Sequence, residues 1–355
     1  MENVVVALDA SSVIEGGGLT YLQQILPRIM QRSNIHIGAA LMRRSTCDYF
    51  LDILPQGALI TANSRASSLS RQWTGRLKEV NPGVIWVPTE ISFKRYKVPT
   101  VVSLRNALAL EPSLAFEHGR WARMRLYLQR LLAVRSIRAA SLALAVSESA
   151  AEQCRISLRD PPPLRVVHHG GPEERRPKKR ASARRFLFVS NLMPHKNLHR
   201  VIRALALVET PGWTFDIVGR ATDVNYATAL RELTRDLELE CKIAFHGAVS
   251  HERVWTFYEQ ADCLVWPSYA ETFGHPLVEA HALGLQLLVS DTPATRGIVG
   301  EAATYFDPFS PNSIATSIEH AMHGFWPICE TFPLTFSWNV CADLTATALR
   351  EAALT

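Results

Sequence analysis

The chain has 355 residues, 47% of them apolar and 20% charged, a length suited to two domains and a composition that excludes a mostly disordered protein. Its longest charge-free stretches, Gly16–Pro27, Ile53–Ser64 and Thr331–Ala342, reach twelve residues each, short of the roughly 18 apolar residues a membrane-spanning helix needs. The net charge of +5 hides an asymmetry: residues 1–170 carry 21 Lys and Arg against 12 Asp and Glu, and residues 171–355 carry 17 against 21. A basic half suits anionic partners such as phosphates, lipid headgroups or nucleic acid.

Short β-rich runs alternate with helical patterns along the whole chain. In the first part, strands are expected at Val4–Leu8, Ile35–Leu41, Gly83–Val87, Thr100–Leu104, Leu142–Val146 and Arg165–His168, with helices at Leu19–Gln31 and Trp121–Ala140. A second series follows at Phe186–Ser190, Phe215–Val218, Ile243–Phe245, Cys263–Trp266, Leu287–Ser290 and Thr304–Phe306. Its helices are expected at Leu198–Val208, Tyr226–Leu237, His251–Gln260, Pro276–Leu283 and Asn312–Met322. Such alternation predicts parallel sheets covered on both faces, and two series predict two doubly wound α/β domains. The Gly-, Pro- and charge-rich stretch around 171–185 reads as a basic connector. The division is therefore an N-terminal domain over 1–170, the connector 171–185, a second domain over 186–336, and a closing helix over 337–355. The opening strand has no basic leader, so a secretory signal is not expected. Six scattered cysteines without CxxC or Cys/His spacing predict reduced thiols in a cytoplasmic protein and no metal site.

The stretch Trp266–Ala280 carries the densest chemistry. A strand ends at Trp266, a loop follows, and Pro276 suits the first turn of a helix. Gly274 lets backbone approach a ligand, and the helix start offers N–H groups and a positive dipole end to a phosphate. A carboxylate such as Glu279 can accept hydrogen bonds from both vicinal hydroxyls of a ribose. A solvated loop acid at Glu271 and a dipole-compensating acid at Glu279 are equally consistent with these residues alone.

Taken with its surroundings, this stretch resembles a specific family. Glu271 and Glu279 form the Glu-x7-Glu signature of retaining glycosyltransferase family 4, flanked by Ser268, Phe273-Gly274, Pro276, Ala280, Gly284 and Val289-Ser290-Asp291. The resemblance implies a GT-B fold, two Rossmann-like domains with a cleft between them. It implies that Glu279 holds the nucleotide ribose and that Glu271 lies near the donor sugar and diphosphate. Thr272, Phe273, Gly274, His275 and Leu277 would then cradle the sugar and diphosphate.

Phe188–Asn197 is a second point of resemblance, in which Lys196 would neutralise the diphosphate leaving group. Ser190 and Asn191 stand where many members have an arginine. Gly16 and Gly17, in the first strand-to-helix turn, are placed by the resemblance beside the donor phosphate. Arg105 and Asn106 stand where many relatives have a histidine against the donor sugar, and either could hydrogen-bond a hydroxyl. Ser337-Trp338-Asn339 resembles the start of the family's closing helix, with Trp338 as a packing anchor, and His168-His169-Gly170 resembles the strand end before the connector. His118 is expected on the surface.

The resemblance implies a retaining, metal-independent hexosyltransferase without a cofactor, whose co-substrate is a nucleotide diphosphate sugar. The acceptor would be a saccharide or lipid-linked saccharide, as in the biosynthesis of surface polysaccharide or lipopolysaccharide. A secondary-metabolite glycosyltransferase and a catalytically idle GT-B subunit are the alternatives. The six arginines of Gly119–Arg138, set among Trp121, Tyr127 and four leucines, fit either a core-packing helix with a solvated face or peripheral contact with an anionic membrane. No nucleic-acid module is recognisable, so no nucleic-acid partner is expected.

Overall fold

The structure is a computed structural model and describes residues 3–14, 16–32, 34–173, 182–326, 332 and 336–355. Most of the expected connector, residues 174–181, lies outside these. The chain forms two compact units. Unit 1 contains 1–113, 120–170 and 336–355, and unit 2 contains 114–119 and 171–335.

Unit 1 is built on a seven-stranded parallel sheet: β1 (Val4–Ala10), β2 (Ile35–Arg43), β3 (Leu59–Ala62), β4 (Val84–Val87), β5 (Thr100–Leu104), β6 (Leu142–Ala145) and β7 (Leu164–Val166), in the order β3-β2-β1-β4-β5-β6-β7. Its helices are α1 (Gly17–Met30), α2 (Arg71–Val80), α3 (Ala107–Leu110), α4 (Arg120–Arg138) and α5 (Glu148–Ser157). Unit 2 holds six parallel strands: β8 (Arg185–Val189), β9 (Thr214–Val218), β10 (Ile243–Gly247), β11 (Cys263–Trp266), β12 (Gln286–Ser290) and β13 (Thr304–Phe306). They run in the order β10-β9-β8-β11-β12-β13, between α6 (Leu198–Leu205), α7 (Val224–Asp236), α8 (His251–Gln260), α9 (His275–Ala282), α10 (Pro293–Val299) and α11 (Pro311–Met322). The last helix, α12 (Trp338–Ala353), belongs to unit 1.

Both sheets share the doubly wound order, and each reverses direction beside its first strand, where open α/β sheets bind ligands beyond the strands' carboxyl ends. The central strands β4, β5, β6, β11 and β12 are buried along their whole length, as expected where helices cover both faces.

In unit 1, Val6, Leu8, Trp86, Leu22 and Ile25 share one core with Trp338, Cys341 and Leu349 of α12. Trp338 packs against Tyr21 and His169, the latter with ring centroids 5.7 Å apart. A Cβ at Gly170 would fall 2.3 Å from Trp338 Cγ, so the glycine ending His168-His169-Gly170 is what lets the closing helix seat.

One short segment departs from the expected N-terminal domain. Residues 114–119 pack with unit 2 because three consecutive side chains find partners there. Phe116 stacks on Tyr269 with ring centroids 5.2 Å apart, Glu117 pairs with Arg200 at 2.6 Å, and His118 meets His195 at 3.1 Å. The five described cysteines are free thiols, and Cys329 lies outside the described residues. Among the described residues no helix is long and apolar enough to cross a membrane.

Candidate active site

The richest collection of candidate residues stands at the carboxyl ends of β8 and β11, the two strands flanking the switch point of unit 2. After β8 the chain turns through Ser190 and Asn191, which are partly exposed. The turn is held by Ser190 N–H donating to Val218 O and Leu192 N–H donating to Arg220 O. Gly219 makes this approach feasible, since a Cβ there would lie 1.7 Å from Ser190 O.

A short turn, Pro194–Lys196, then delivers Lys196, and Asn197 closes it in a left-handed conformation (φ 62°). Asn197 is fully buried. Its Nδ2 donates to Pro267 O at 3.1 Å and Pro308 O at 2.6 Å, and its Oδ1 accepts from Arg200 Nη1 at 2.8 Å. It thereby ties the lysine turn to the loops after β11 and β13.

The loop after β11 is tied back in the same way. Ser268 Oγ donates to His195 O and Ala270 O, and Ser290 Oγ donates to Ser268 O at 2.5 Å. This loop carries Glu271, whose Oε2 accepts from Lys196 Nζ at 2.7 Å, with only 12% and 14% of the two side chains exposed. The ammonium also lies 5.0 Å from the centre of the Trp266 ring. Lys196 and Glu271 thus close on each other, tethered by loops whose own side chains are spent on backbone. An anion of higher charge density could take the ammonium from its carboxylate without disturbing the scaffold.

Past Glu271, Thr272 and Phe273 are buried, and Gly274 takes φ 81° as the cap of α9. A Cβ at Gly274 would lie 3.0 Å from Leu277 Cδ1, so the conformation favours glycine and the space beside it is tight. The helix start offers fewer donors than its position suggests: Pro276 has no N–H, and Leu277 donates its own to Gly274 O at 3.0 Å. Leu277 is fully buried, so its place is in packing beneath the loop, with no surface turned to a ligand. His275 is partly exposed, its ring against Phe273.

Glu279, on α9, is held by Tyr258, whose hydroxyl donates to Oε2 at 2.8 Å. Burial and the adjacent carboxylate keep the Tyr258 phenol protonated, far above its usual range.

His118 is a correction to the surface position expected for it. It is buried, and its Nε2 lies 3.1 Å from His195 Nδ1. Burial, then the charge of Lys196 and the second imidazole, push the His195 pKa well below the ordinary histidine value.

The remaining candidates lie in unit 1. Gly16 caps α1 with φ 65°, a conformation that favours glycine although a Cβ would meet nothing within 4 Å. Arg105 Nη2 donates to Gly17 O at 2.5 Å, and its guanidinium lies 4.1 Å from the centre of the Tyr21 ring. Burial lowers its pKa to about 10, which leaves it charged at neutral pH. The group expected to reach a sugar hydroxyl is therefore engaged in fixing the Gly16-Gly17 turn. Asn106 is exposed, and its Oδ1 accepts from Leu108 N–H at 3.1 Å, capping α3.

Asn197, Gly219 and Tyr258 acquire their places only in the fold. An asparagine just before an apolar-periodic helix is a turn signal, the one local feature that marks Asn197. Nothing local marks Tyr258, whose partner lies 21 residues on.

The fold defines the class. Over 99% of its length the chain matches the crystal structure of Anabaena HepE in complex with UDP and glucose (TM-score 0.69, 18% identity, 97% of that chain). It matches WaaG, a glycosyltransferase involved in lipopolysaccharide biosynthesis, equally widely (TM-score 0.66, 16% identity, 98% of that chain). The architecture is GT-B, with two Rossmann-like units. Residues 171–325 match the model of the family described as glycosyl transferases group 1, consistent with the family 4 resemblance.

Curated relatives include the O-antigen chain mannosyltransferase RfbU of Salmonella typhimurium, 35% identical over 135 residues (38% of this chain, 37% of that protein). Another is the GDP-mannose:cellobiosyl-diphosphopolyprenol alpha-mannosyltransferase of Xanthomonas campestris, 31% identical over 137 residues (38% and 36%). The matches span little more than a third of these relatives' lengths.

Proposed function

We propose that the protein is a retaining, metal-independent glycosyltransferase. It moves a hexose from a nucleotide diphosphate sugar to a saccharide or lipid-linked saccharide in surface-polysaccharide assembly. The observation that carries the reading is the closed Lys196–Glu271 pair at the switch point of a group 1 glycosyltransferase unit. The relatives' names favour a mannosyl donor and a polysaccharide or polyprenol-linked acceptor.

On donor binding the diphosphate takes the Lys196 ammonium from Glu271, because two phosphates carry more charge than one carboxylate. Glu279, fixed by Tyr258, accepts the ribose hydroxyls, and the released Glu271 turns to the sugar. In the reaction the bond between the anomeric carbon and the phosphate oxygen breaks while the bond to the acceptor oxygen forms on the same face. The acceptor's proton passes to the departing phosphate. Charge builds on the leaving oxygens, and Lys196 stabilises it where water is largely excluded.

The test is release of nucleoside diphosphate from a panel that includes GDP-mannose and UDP-glucose, with and without saccharide acceptors and with a chelator. Glu279→Ala should weaken the donor-induced rise in melting temperature, beyond the modest drop expected for the free protein because the buried Tyr258 hydroxyl loses its acceptor. No release and no shift with any donor would remove the proposal.

A further inference from the structure

Two loops carry the Lys196–Glu271 pair, and a single carboxylate from a distant stretch of the chain reaches both. The chain leaves unit 1 after residue 113, runs through unit 2 as residues 114–119, and re-enters unit 1 at residue 120. In the middle of that excursion stands Glu117, its side chain 19% exposed. Its Oε1 accepts from Arg200 Nη2 at 2.6 Å, and its Oε2 accepts from the Tyr269 hydroxyl at 3.2 Å. Arg200 stands on the lysine side: its Nη1 donates at 2.8 Å to Oδ1 of Asn197, which closes the Lys196 turn. Tyr269 stands on the other side, two residues ahead of Glu271, with its N–H on His195 O at 3.2 Å.

The start of α6 explains why a carboxylate is drawn in. Its first turn holds no acid and puts Arg200 at the positive end of the helix dipole, where a cation is unfavourable. Burial lowers the pKa of the neighbouring His199 to about 4, so that ring is neutral and Arg200 carries the charge that faces Glu117. Burial, and then the Glu117 charge, raise the Tyr269 phenol far above its usual range, which keeps it a donor. Phe116 adds an apolar hold, its ring 5.2 Å from that of Tyr269 and 6.1 Å from that of Phe309. Neutral side chains tie the two loops to main chain, and Glu117 adds a charged span between them. With one oxygen on each side, neither loop can shift without breaking a charge-assisted hydrogen bond.

We propose that residues 114–119 are a strap that sets the spacing of the Lys196–Glu271 pair, with Glu117 as a positioning residue acting through Arg200 and Tyr269. The inference rests on the reading of that pair as the diphosphate site. No hydrogen bond or ion pair joins Glu117 to Lys196 or Glu271, so its effect is indirect. When the ammonium changes partner, the strap keeps the lysine turn in place, and the incoming diphosphate meets a charge already positioned for it.

The test is calorimetric titration of GDP, UDP, ADP and dTDP into wild type, Glu117→Ala, Lys196→Ala and the double variant. Glu117→Ala should weaken binding of whichever diphosphate wild type takes by about tenfold. In the Lys196→Ala background the same substitution should cost less than about twofold, because the strap then has no ammonium to place. A merely structural role would cost the same factor in both backgrounds. Tyr269→Phe keeps the ring stack on Phe116 and removes one arm of the span. It should show the same dependence on Lys196 with a smaller loss, and it carries the test if Glu117→Ala does not fold. Binding at the wild-type level in these variants, or equal losses in the two backgrounds, overturns the strap and leaves the diphosphate site standing. Failure of wild type to bind any of the four diphosphates removes the site itself, and the strap with it.

Discussion

The carboxyl ends of the two sheets show what the same topology can be used for. In unit 1 the charged groups there are bound into the scaffold. Asp9 is buried and accepts from Ser11 Oγ at 2.7 Å, Tyr96 OH at 2.7 Å and Ser92 Oγ at 3.2 Å, and Arg105 donates to the Gly17 carbonyl. In unit 2 the loops are fastened by neutral groups, Asn197, Ser268 and Ser290, and the charges of Lys196 and Glu271 are set against each other. A charge that satisfies main-chain carbonyls or several hydroxyls cannot leave without unravelling its surroundings. Lys196 is paired with the carboxylate of Glu271, which also accepts from Thr272 N–H at 3.3 Å, so the ammonium can change partner while the loop stays anchored. Unit 1 uses its ionic groups for shape, and unit 2 keeps a pair of opposite charges set against each other.

The largest expected effect that could break this contrast is on donor binding. Lys196→Ala should weaken nucleotide-sugar binding by about 100-fold or more, read by calorimetry on the folded protein, with some loss of stability because the largely buried Glu271 carboxylate is left without its cation. Arg105→Ala should do the reverse, leaving binding of the nucleoside diphosphate nearly intact and costing about 1–2 kcal/mol of stability in urea unfolding. Similar binding losses in the two variants would erase the distinction.

Next in size, Asp9→Ala leaves the Tyr96 hydroxyl without its acceptor and sends those of Ser11 and Ser92 to the Arg65 and Lys94 carbonyls alone, and should destabilise unit 1 by about 2–3 kcal/mol. Limited proteolysis under mild denaturant should then cut unit 1 first. In unit 2, Gly274→Ala places a side chain at φ 81° against Leu277 and should cost about 1–3 kcal/mol, with donor affinity falling alongside because the loop moves.

The smallest effect sharpens the comparison through pH. Burial holds His195 well below the ordinary histidine value and His199 down to about 4 in unit 2, and it lowers His168 in unit 1. The folded forms stay neutral where the unfolded chain takes up protons. Their contribution is therefore complete above about pH 6.5 and is lost as pH falls below it, by at most about 1.4 kcal/mol per pH unit for each group. Hydrogen exchange corrected for its intrinsic pH dependence should show a larger loss of protection on acidification around His195 and His199 in unit 2, whose shifts are large, than around His168 in unit 1.

Much of this was legible in the sequence, and the missing parts have physical causes. Twelve of the thirteen strands lie where apolar runs predicted them. The omission, β3 (Leu59–Ala62), is a four-residue edge strand, too short to show a period. Helix α2 escaped because its sequence RQWTGRLKEV buries only Trp73, which leaves no apolar stripe to read. In the candidate site, Glu271, Gly274 and Lys196 were readable because they sit in strand-to-helix loops, and Glu279, inside α9, because of its spacing from Glu271. Their pairing was not, since Lys196 and Glu271 are 75 residues apart. The same holds for His118, whose exposed-looking local context gave no hint of a partner 77 residues on. Arg105 shows the converse: the resemblance set it against the donor sugar, but the carbonyl of Gly17 and the ring of Tyr21 claim it.

The central claim is that one ammonium exchanges a carboxylate for a diphosphate. Calorimetric titration of the nucleoside diphosphate product into wild type, Glu271→Gln and Lys196→Ala tests it most directly. Glu271→Gln removes the internal competitor and should bind the diphosphate at least as tightly as wild type, while Lys196→Ala should lose about 100-fold. Undiminished binding in Lys196→Ala, or binding that collapses in Glu271→Gln, would contradict the exchange.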